Sequence, residues 1–330
     1  MHMHFVDVPE KTYTIVCTAT KQWFFCAFAL LGPVAFVYDA PFGRFATPDS
    51  VFSVNGIKSW IVMELPSPLS FLLTTYLHPF SPTPLPLPSL SHPTLGLAPQ
   101  TLLSSLYLIH YLNRALISPL RSPSRSTSHL VVVSSGIAFN IPNGFLLASF
   151  LTSASTAAHL SHALSSPRFW TGLALWLAGF VGNVYHDEIL LNIRRKAIAK
   201  GKAKELEDGK QARQQHYAIP HGGLYSLISY PNYLCEWVEW FGFALAASPF
   251  PNFALLPGAW PLLAAARGAR LTEVGCLFLP FVDSVSPPWA FFLIELATMA
   301  PRAVRGHRWY HERFKDSYPR ERRAVIPWLL

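Results

Sequence analysis

Seven apolar stretches, each close to the length of a membrane-spanning helix, constrain this chain more than any other feature of its sequence. A helix needs about 20 mostly apolar residues to cross a bilayer. Charged residues make up 13% of the 330 residues, whereas soluble domains carry about 25%, so too little polar surface exists to solvate a globule of this size. We therefore predict an all-α integral membrane protein, one bundle of seven transmembrane helices over residues 1–330. The predicted spans are 22–38, 59–77, 101–118, 130–151, 169–193, 224–247 and 286–304.

Lys and Arg are unevenly distributed between the loops that these spans define. If the loops alternate sides, 21 of the 26 basic residues lie on one side, including groups of eight at 194–213 and 302–323. Basic loops stay on the cytoplasmic side of a membrane. The sequence thus predicts a multi-pass protein with a cytoplasmic C-terminus. It also assigns the net charge of +8 to cytoplasmic loops, so no nucleic acid partner is predicted.

Two segments interrupt the regular pattern of spans. Residues 78–99 contain seven prolines and no Lys or Arg, which predicts a lumenal loop insert of extended character because proline does not sustain a regular helix. Residues 248–285 mix prolines with apolar runs and form a second insert. An eighth span there would put the two groups of eight basic residues on opposite sides, so the charge distribution disfavours it.

Polar side chains inside the spans are the candidate functional residues, because their burial in lipid is unfavourable without a partner or a function. Glu64 lies in the second span and Tyr111 in the third. Either could be a paired core residue. The alternative is chemical: a Glu64 carboxyl kept neutral by apolar surroundings would donate a hydrogen bond to a substrate oxygen.

The fifth and sixth spans carry further polar residues at helical spacing. Asn183, Asp187 and Arg194 fall along one stripe of the fifth span. Asn232 and Glu236 share a face of the sixth span, and Glu239 follows on the same face one turn later. This pattern favours a binding site over simple pairing between helices. No metal site is predicted, because the His and Cys residues lack the spacing of metal-binding boxes.

Five motifs stand out in the C-terminal part, 182–330. They are Asn183-x-x-x-Asp187, Tyr217-x-Ile219-Pro220-x-Gly222-Gly223-Leu224, Asn232-x-x-x-Glu236-x-x-Glu239-Trp240-x-Gly242, His307-x-Trp309-Tyr310 and Tyr318-Pro319-x-x-Arg322-x-Ala324-x-Ile326-Pro327. By these motifs the chain resembles the steroid 5-alpha-reductase family of integral membrane reductases. The resemblance is strong over 182–330, except for 248–285, and extends more weakly upstream to Glu64-Leu65-Pro66-Ser67 and His110-Tyr111.

This resemblance implies a reaction and a cofactor. The reaction is reduction of the 4,5 double bond of a 3-oxo-4-ene steroid by NADPH, with a lipophilic substrate taken from the bilayer and the endoplasmic reticulum membrane as the inferred location. By the same resemblance, Glu64 and Tyr111 contact the 3-oxo group as catalytic residues. The positions that match the dinucleotide pocket are Asn183, Asp187, Arg194, Tyr217, Asn232, Glu236, Arg302, His307 and Tyr310.

Two other functions remain open from the sequence. A trans-2-enoyl-CoA or polyprenol reductase of the same superfamily would act on a similar conjugated lipid, so the residues discriminate poorly between the two. A non-catalytic lipid-binding membrane protein is the second alternative. Met63, Ala218 and Gly306 stand where the family commonly has Gln, a basic residue and His, and such departures would fit loss of activity.

Overall fold

The computed structural model describes residues 10–47, 49–77, 98–208, 217–268 and 270–330. These residues are mostly helical, with one two-stranded antiparallel sheet in which β1 (Ser53–Val54) pairs with β2 (Ser128–His129). The helices are α1 Glu10–Val34, α2 Gly56–Glu64, α3 Pro66–Leu77, α4 Pro99–Tyr111, α5 Ser118–Arg121, α6 Leu130–Leu151, α7 Ala154–His159, α8 Pro167–Asp208, α9 Pro231–Ala247, α10 Trp260–Ala266, α11 Leu271–Cys276, α12 Leu279–Ser284 and α13 Pro287–Phe314.

Each predicted span overlaps a helix or a pair of consecutive helices. The second span corresponds to α2 and α3, and the third begins in α4 and ends in α5. The helical class predicted from the sequence is therefore confirmed. In the described part of the chain, α6 alone is long and apolar enough to cross a membrane by length and composition. The count of seven spans accordingly stays a prediction.

The structure describes only the last two residues of the first predicted insert and nearly all of the second. Of the Pro-rich segment, 78–97 lie outside the described residues, and Pro99 already belongs to α4. The described part of 248–285 contains the short helices α10, α11 and α12. The longest of them, α10, has seven residues, which is far fewer than a span requires.

A π-helical turn, Leu112–Ile117, joins α4 to α5. The Ser118 N–H donates to the carbonyl of Asn113, five residues back. The next residue, Pro119, has no N–H with which to continue this pattern. The carbonyl of Arg114 instead accepts the indole N–H of Trp60 at 3.1 Å. This bond to α2 fixes the turn that carries Arg114, and such turns frequently occur at functional sites.

Helices α8 and α9 pack backbone to backbone through glycines. A Cβ on Gly242 would lie 2.6 Å from the carbonyl oxygen of Gly172 and 2.5 Å from the main-chain nitrogen of Trp176. Further along the pair, a Cβ on Gly179 would lie 2.5 Å from the Cys235 carbonyl oxygen. No side chain fits at such distances, so the glycines set the separation of the helices. This close approach of α8 and α9 also brings the polar residues of the two helices within hydrogen-bond distance of each other.

The chain returns after α13 to the segment that precedes α9. The main-chain N–H of Ser229 donates to Arg323 at 2.9 Å, and that of Tyr230 donates to Ala324 at 3.0 Å. A Cβ on Gly306 of α13 would collide with the Tyr230 hydroxyl. A His at position 306 would therefore require Tyr230 to move, which gives a physical reason for the departure from the family pattern.

The segment 36–45 after α1, here called the strap, packs on the C-terminal half of α13. Arg305 of α13 forms a bidentate ion pair with Asp39 of the strap, at 2.5 and 2.6 Å. In return, the Arg44 guanidinium lies 4.4 Å from the ring centroid of Tyr310, a distance typical of a cation–π contact. Residues far apart in sequence thus meet at this end of α13.

Candidate active site

The guanidinium of Arg114 lies between two buried glutamates. Its Nε is 3.1 Å from Glu64 Oε1, and its Nη1 is 2.8 Å from Glu236 Oε1. Glu64 ends α2, Arg114 lies in the π-helical turn, and Glu236 lies in α9. Both carboxyls are at most 5% exposed. Three elements therefore converge on one charge-assisted network, which is the strong form of hydrogen bonding in a dry interior.

His110 extends the network toward a second acid of α9. Its Nδ1 lies 2.7 Å from Glu239 Oε1, and its Nε2 lies 3.9 Å from Glu236 Oε1. His110 and Glu239 are both buried. Because Glu236 and Glu239 are separated by one helical turn, one imidazole reaches both.

Tyr111 is held by the amides of α6. The side-chain amide of Asn143 donates to the Tyr111 hydroxyl at 2.8 Å, and that hydroxyl donates to Asn140 Oδ1 at 3.3 Å. Asn140 in turn donates to the Met63 carbonyl at 2.6 Å, which connects the phenol to the residue beside Glu64. The donated bond from Asn143 makes the phenol a better donor, and the long bond to Asn140 is easily exchanged for one to a ligand oxygen.

The polar stripes predicted for the fifth and sixth spans face each other across the α8–α9 contact. Asn232 donates to Asp187 Oδ1 at 3.0 Å. Asn183 donates to the main-chain carbonyl of Asn232 at 3.0 Å and to Glu236 Oε2 at 3.3 Å. The two oxygens of Glu236 thus join this group to Arg114.

Basic side chains gather beside Asp187. Arg194 donates to Ser122 Oγ at 3.3 Å. Arg125 lies with its guanidinium 3.8 Å from the Trp60 ring centroid, and its buried Nη1 has no hydrogen-bond partner among the described residues. Burial lowers the pKa of Arg125 to about 10, and the positive charge of Arg194 adds to that effect. A buried guanidinium nitrogen without a hydrogen-bond partner, beside a second guanidinium, is a donor set for an anion.

The candidate residues of the C-terminal part form a separate aromatic group. Tyr310 stacks on Tyr318 with ring centroids 5.1 Å apart, and Tyr217 meets Trp309 edge to face at 4.9 Å. The buried ring of Tyr225 meets the His186 ring of α8 edge to face, with centroids 5.6 Å apart. It also interacts electrostatically with Tyr310 of the aromatic group.

His307 belongs to the same group. Its Nδ1 lies 2.6 Å from Ser229 Oγ, and its Nε2 lies 3.2 Å from the Nε2 of His311. Burial lowers the pKa of His307 to about 4, with His311 and Arg323 contributing in the same direction. The imidazole is accordingly neutral at neutral pH.

Arg302, which the resemblance assigns to the cofactor pocket, contacts the strap. Its guanidinium lies 3.5 Å from the Phe42 ring centroid and donates to the Phe42 carbonyl at 3.3 Å, so it binds the strap. Among the residues described, no group of three or more His, Cys, Asp or Glu side chains is arranged to hold a metal ion.

Sequence reasoning did not single out Arg114, Arg125 or His110 as site residues, although it included Glu239 in the polar stripe of the sixth span. One signal was available for Arg114, since it follows Tyr111 by three residues and so shares its helical face. Arg125 follows a proline-containing loop with no periodicity, and its burial depends on Trp60, which is 65 positions away in the chain.

Comparison with known proteins assigns the chain to a class of enzymes. The family profile described as 3-oxo-5-alpha-steroid 4-dehydrogenase matches residues 126–259 and 274–330. The gap between these two ranges lies within the second insert. Proteins of this class are oxidoreductases that act on CH–CH groups.

Similar whole proteins support the same assignment. An uncharacterized protein of Schizosaccharomyces pombe is 36% identical over 90% of this chain and 94% of its own length. The 3-oxo-5-alpha-steroid 4-dehydrogenase 1 of Bos taurus is 30% identical over 91% of this chain and 93% of its own. A steroid 5-alpha-reductase of Solanum lycopersicum is 27% identical over 88% of each. The chain belongs to the steroid 5-alpha-reductase family.

Proposed function

We propose that the chain catalyses NADPH-dependent reduction of the 4,5 double bond of 3-oxo-4-ene steroids. The observation that carries the proposal is the burial of Glu64 and Tyr111 near each other, with Arg114 bonded to Glu64 and Tyr111 joined through Asn140 to the residue beside Glu64. A conjugated enone accepts hydride at its β carbon only if negative charge on the carbonyl oxygen is stabilised as it develops. Family membership supports this reaction class over other uses of such a group of donors.

In this proposal Glu64 and Tyr111 polarise the 3-oxo group. One guanidinium cannot neutralise two carboxylates, and the shorter contact of Arg114 is to Glu236. A proton on Glu64 therefore leaves the Arg114–Glu236 pair intact. The Nε–H of Arg114 would then donate to the carbonyl oxygen of the Glu64 carboxyl, so that its O–H becomes a stronger donor to the steroid oxygen.

The residues of the site fit an anionic dinucleotide. The unpaired Nη1 of Arg125 and the neighbouring Arg194 are suited to phosphate groups. Asn183, Asp187, Asn232 and Glu236 are assigned to the same cofactor. When bound, NADPH supplies the hydride. The remaining residues assigned to the cofactor are Tyr217, Arg302, His307 and Tyr310.

We further propose that the chain spans the endoplasmic reticulum membrane seven times with its C-terminus in the cytosol. Large apolar side chains on helix surfaces support contact with lipid, for example Leu69 and Leu73 of α3 and Leu177 and Val181 of α8, all more than half exposed. Contiguous exposed apolar surface of this kind is typical of membrane contact. The cofactor then enters from the cytosol and the steroid from the bilayer.

The function is tested with microsomes containing the expressed chain, NADPH and a panel of 3-oxo-4-ene steroids, trans-2-enoyl-CoAs and polyprenols. We expect a 5α-reduced steroid, and we expect Glu64→Gln and Tyr111→Phe each to lower kcat by about 10²-fold or more, as for loss of one oxyanion donor. Full turnover in both variants would remove these residues from the chemistry. Reduction of another lipid alone would select the alternative reductase, and no enone-dependent NADPH oxidation would favour a lipid-binding protein.

A further inference from the structure

Helix α13 contributes a fourth buried glutamate, Glu295, to the site. It is 8% exposed, and its Oε2 has no hydrogen-bond partner among the described residues. One turn earlier in α13, the ring of Phe291 packs edge to face on Trp240 of α9 with centroids 4.6 Å apart, and Trp240 packs on His110 at 4.7 Å. This contact brings Glu295 to the side of α9 that carries Glu239, and Glu295 interacts electrostatically with Glu236, Glu239, Glu64 and Arg114. The carboxyl cluster is defined here as these four acids, Glu64, Glu236, Glu239 and Glu295.

The carboxyl cluster contains more acids than counter-charges. Arg114 contacts Glu64 and Glu236, and His110 contacts Glu239. The neighbouring Asp187 interacts electrostatically with Arg125, Arg114 and Arg194, so it is a further acid in this region and supplies no counter-charge to the cluster. Even with a charged His110, two of the four carboxyls lack a counter-charge, and ionised carboxylates without one are strongly disfavoured in a dry interior.

The hydrogen-bond pattern indicates where the extra protons reside. Oε2 of Glu239 and Oε2 of Glu295 are both buried without a partner among the described residues. A buried carboxylate oxygen with no donor is penalised more than a carboxylic acid in the same place. Arg114 donates to both Glu64 and Glu236, and its shorter contact is to Glu236. Glu236 is therefore the carboxylate that it pairs with, and the proton that the proposed function places on Glu64 adds to those on Glu239 and Glu295.

We infer that the carboxyl cluster stores protons and, through Glu295 and Glu239, supplies the proton that completes reduction of the enone. This inference rests on the proposed function. The cluster borders Tyr111, whose hydroxyl is joined through Asn140 to the Met63 carbonyl beside Glu64. The stored protons therefore lie near the group assigned to the substrate oxygen.

The step balances as follows. When bound, NADPH would supply the hydride for the new C–H bond at the β carbon, and the π electrons of the C=C bond of the steroid would move to give an enolate. The O–H bond of a cluster carboxyl then breaks, its proton forms the C–H bond at the α carbon, and a carboxylate remains. Arg114 and His110 stabilise that carboxylate until it regains a proton from solvent.

The first test needs no turnover. Infrared spectra of the purified, cofactor-free protein in H2O and D2O report protonated carboxyls through the deuterium-sensitive carboxylic C=O band. We expect this band in the wild type and a smaller band in Glu295→Gln. The matched control, Glu312→Gln, alters an exposed acid on the same helix and leaves the band unchanged. A wild-type protein without the band, or a Glu295→Gln protein with the full band, overturns the inference.

The second test follows the proton during reduction of the steroid. We expect Glu295→Gln to lower kcat by about tenfold or more, to enlarge the solvent isotope effect, and to leave the Kd for NADPH unchanged. An unchanged kcat and isotope effect would overturn the inference. If Glu295→Gln does not fold, Glu239→Gln carries the same expectations. A carboxylic band in a protein that reduces no steroid would refute the proposed function, whereas steroid reduction without the band would refute the inference.

Discussion

The indole N–H of Trp60 donates to the main-chain carbonyl of Arg114 at 3.1 Å, and the two residues come from different helices. The same indole ring lies 5.2 Å from the Arg114 guanidinium and 3.8 Å from that of Arg125. Trp60 therefore positions the arginine of the carboxyl cluster and the arginine assigned to phosphate. One aromatic side chain of α2 supports both halves of the proposed site.

Replacing Trp60 should consequently lower both the stability of the protein and its catalytic rate. Trp60→Phe keeps an aromatic ring and leaves the Arg114 carbonyl without its donor, which costs about 1–3 kcal/mol for a buried group. We expect a lower thermal unfolding midpoint and a lower kcat. The matched control is Trp170→Phe, whose half-exposed indole donates to the Leu164 carbonyl. Equal effects of the two substitutions would contradict a special role for Trp60.

Arg125 should govern cofactor affinity. Arg125→Gln removes the guanidinium whose Nη1 has no partner among the described residues. We expect the Kd for NADPH, measured by fluorescence titration, to rise about tenfold. This rise is in line with about 1.5–3 kcal/mol for a hydrogen bond to a charged group. Arg121→Gln is the control, because Arg121 already pairs with Glu188 at 2.8 Å. A Kd that Arg125→Gln leaves unaltered would exclude Arg125 from the phosphate site.

The close contact of α8 and α9 should tolerate no side chain. Gly242→Ala introduces a methyl group 2.6 Å from the Gly172 carbonyl oxygen, and overpacking of this kind costs about 1–3 kcal/mol. We expect a lower unfolding midpoint and weaker NADPH binding, since the polar stripes separate. Gly201→Ala on α8 meets nothing within 4 Å and should stabilise the helix by up to about 1 kcal/mol. Unchanged stability in Gly242→Ala would argue against the glycine contact.

Acid should destabilise the protein through His307. Its pKa is about 4 in the folded state and 6.5 when unperturbed, so the unfolded chain binds the proton first. The stability contributed by neutral His307 is present above about pH 6.5 and is lost as the pH falls toward 4. We expect His307→Gln to flatten the fall in unfolding midpoint between pH 7 and 5. Substitution of the exposed His159 with Gln should leave that slope unchanged, and a similar slope in both variants would contradict the assignment.

The sequence predicted the elements well because they depend on local composition. Apolar stretches and polar stripes at helical spacing identified the helices and the facing residues of α8 and α9. The glycine contact was not predicted, because the closeness of two helices depends on which faces meet. The ion pair of Glu64 with Arg114 joins residues 50 positions apart, and periodicity carries no information on such pairing.

Arg302 and Glu295 show that sequence alone does not reveal contacts between elements. One was predicted to be a site residue and the other was not. Arg302 matches a basic position of the dinucleotide pocket by resemblance, yet its contacts are with Phe42 of the strap. Glu295 lies in a stretch without any motif, yet its carboxyl joins the cluster around Arg114. In both cases the partner is a residue on another element, so only the tertiary arrangement reveals it.

The collision that a side chain at position 306 would have with Tyr230 also bears on how this family diverges. The side chains at positions 306 and 230 occupy the same small volume, so a larger residue at one position favours a smaller residue at the other. We expect homologues with His opposite Gly306 to carry a smaller residue opposite Tyr230, and reconstructed ancestors to change both positions on the same branch.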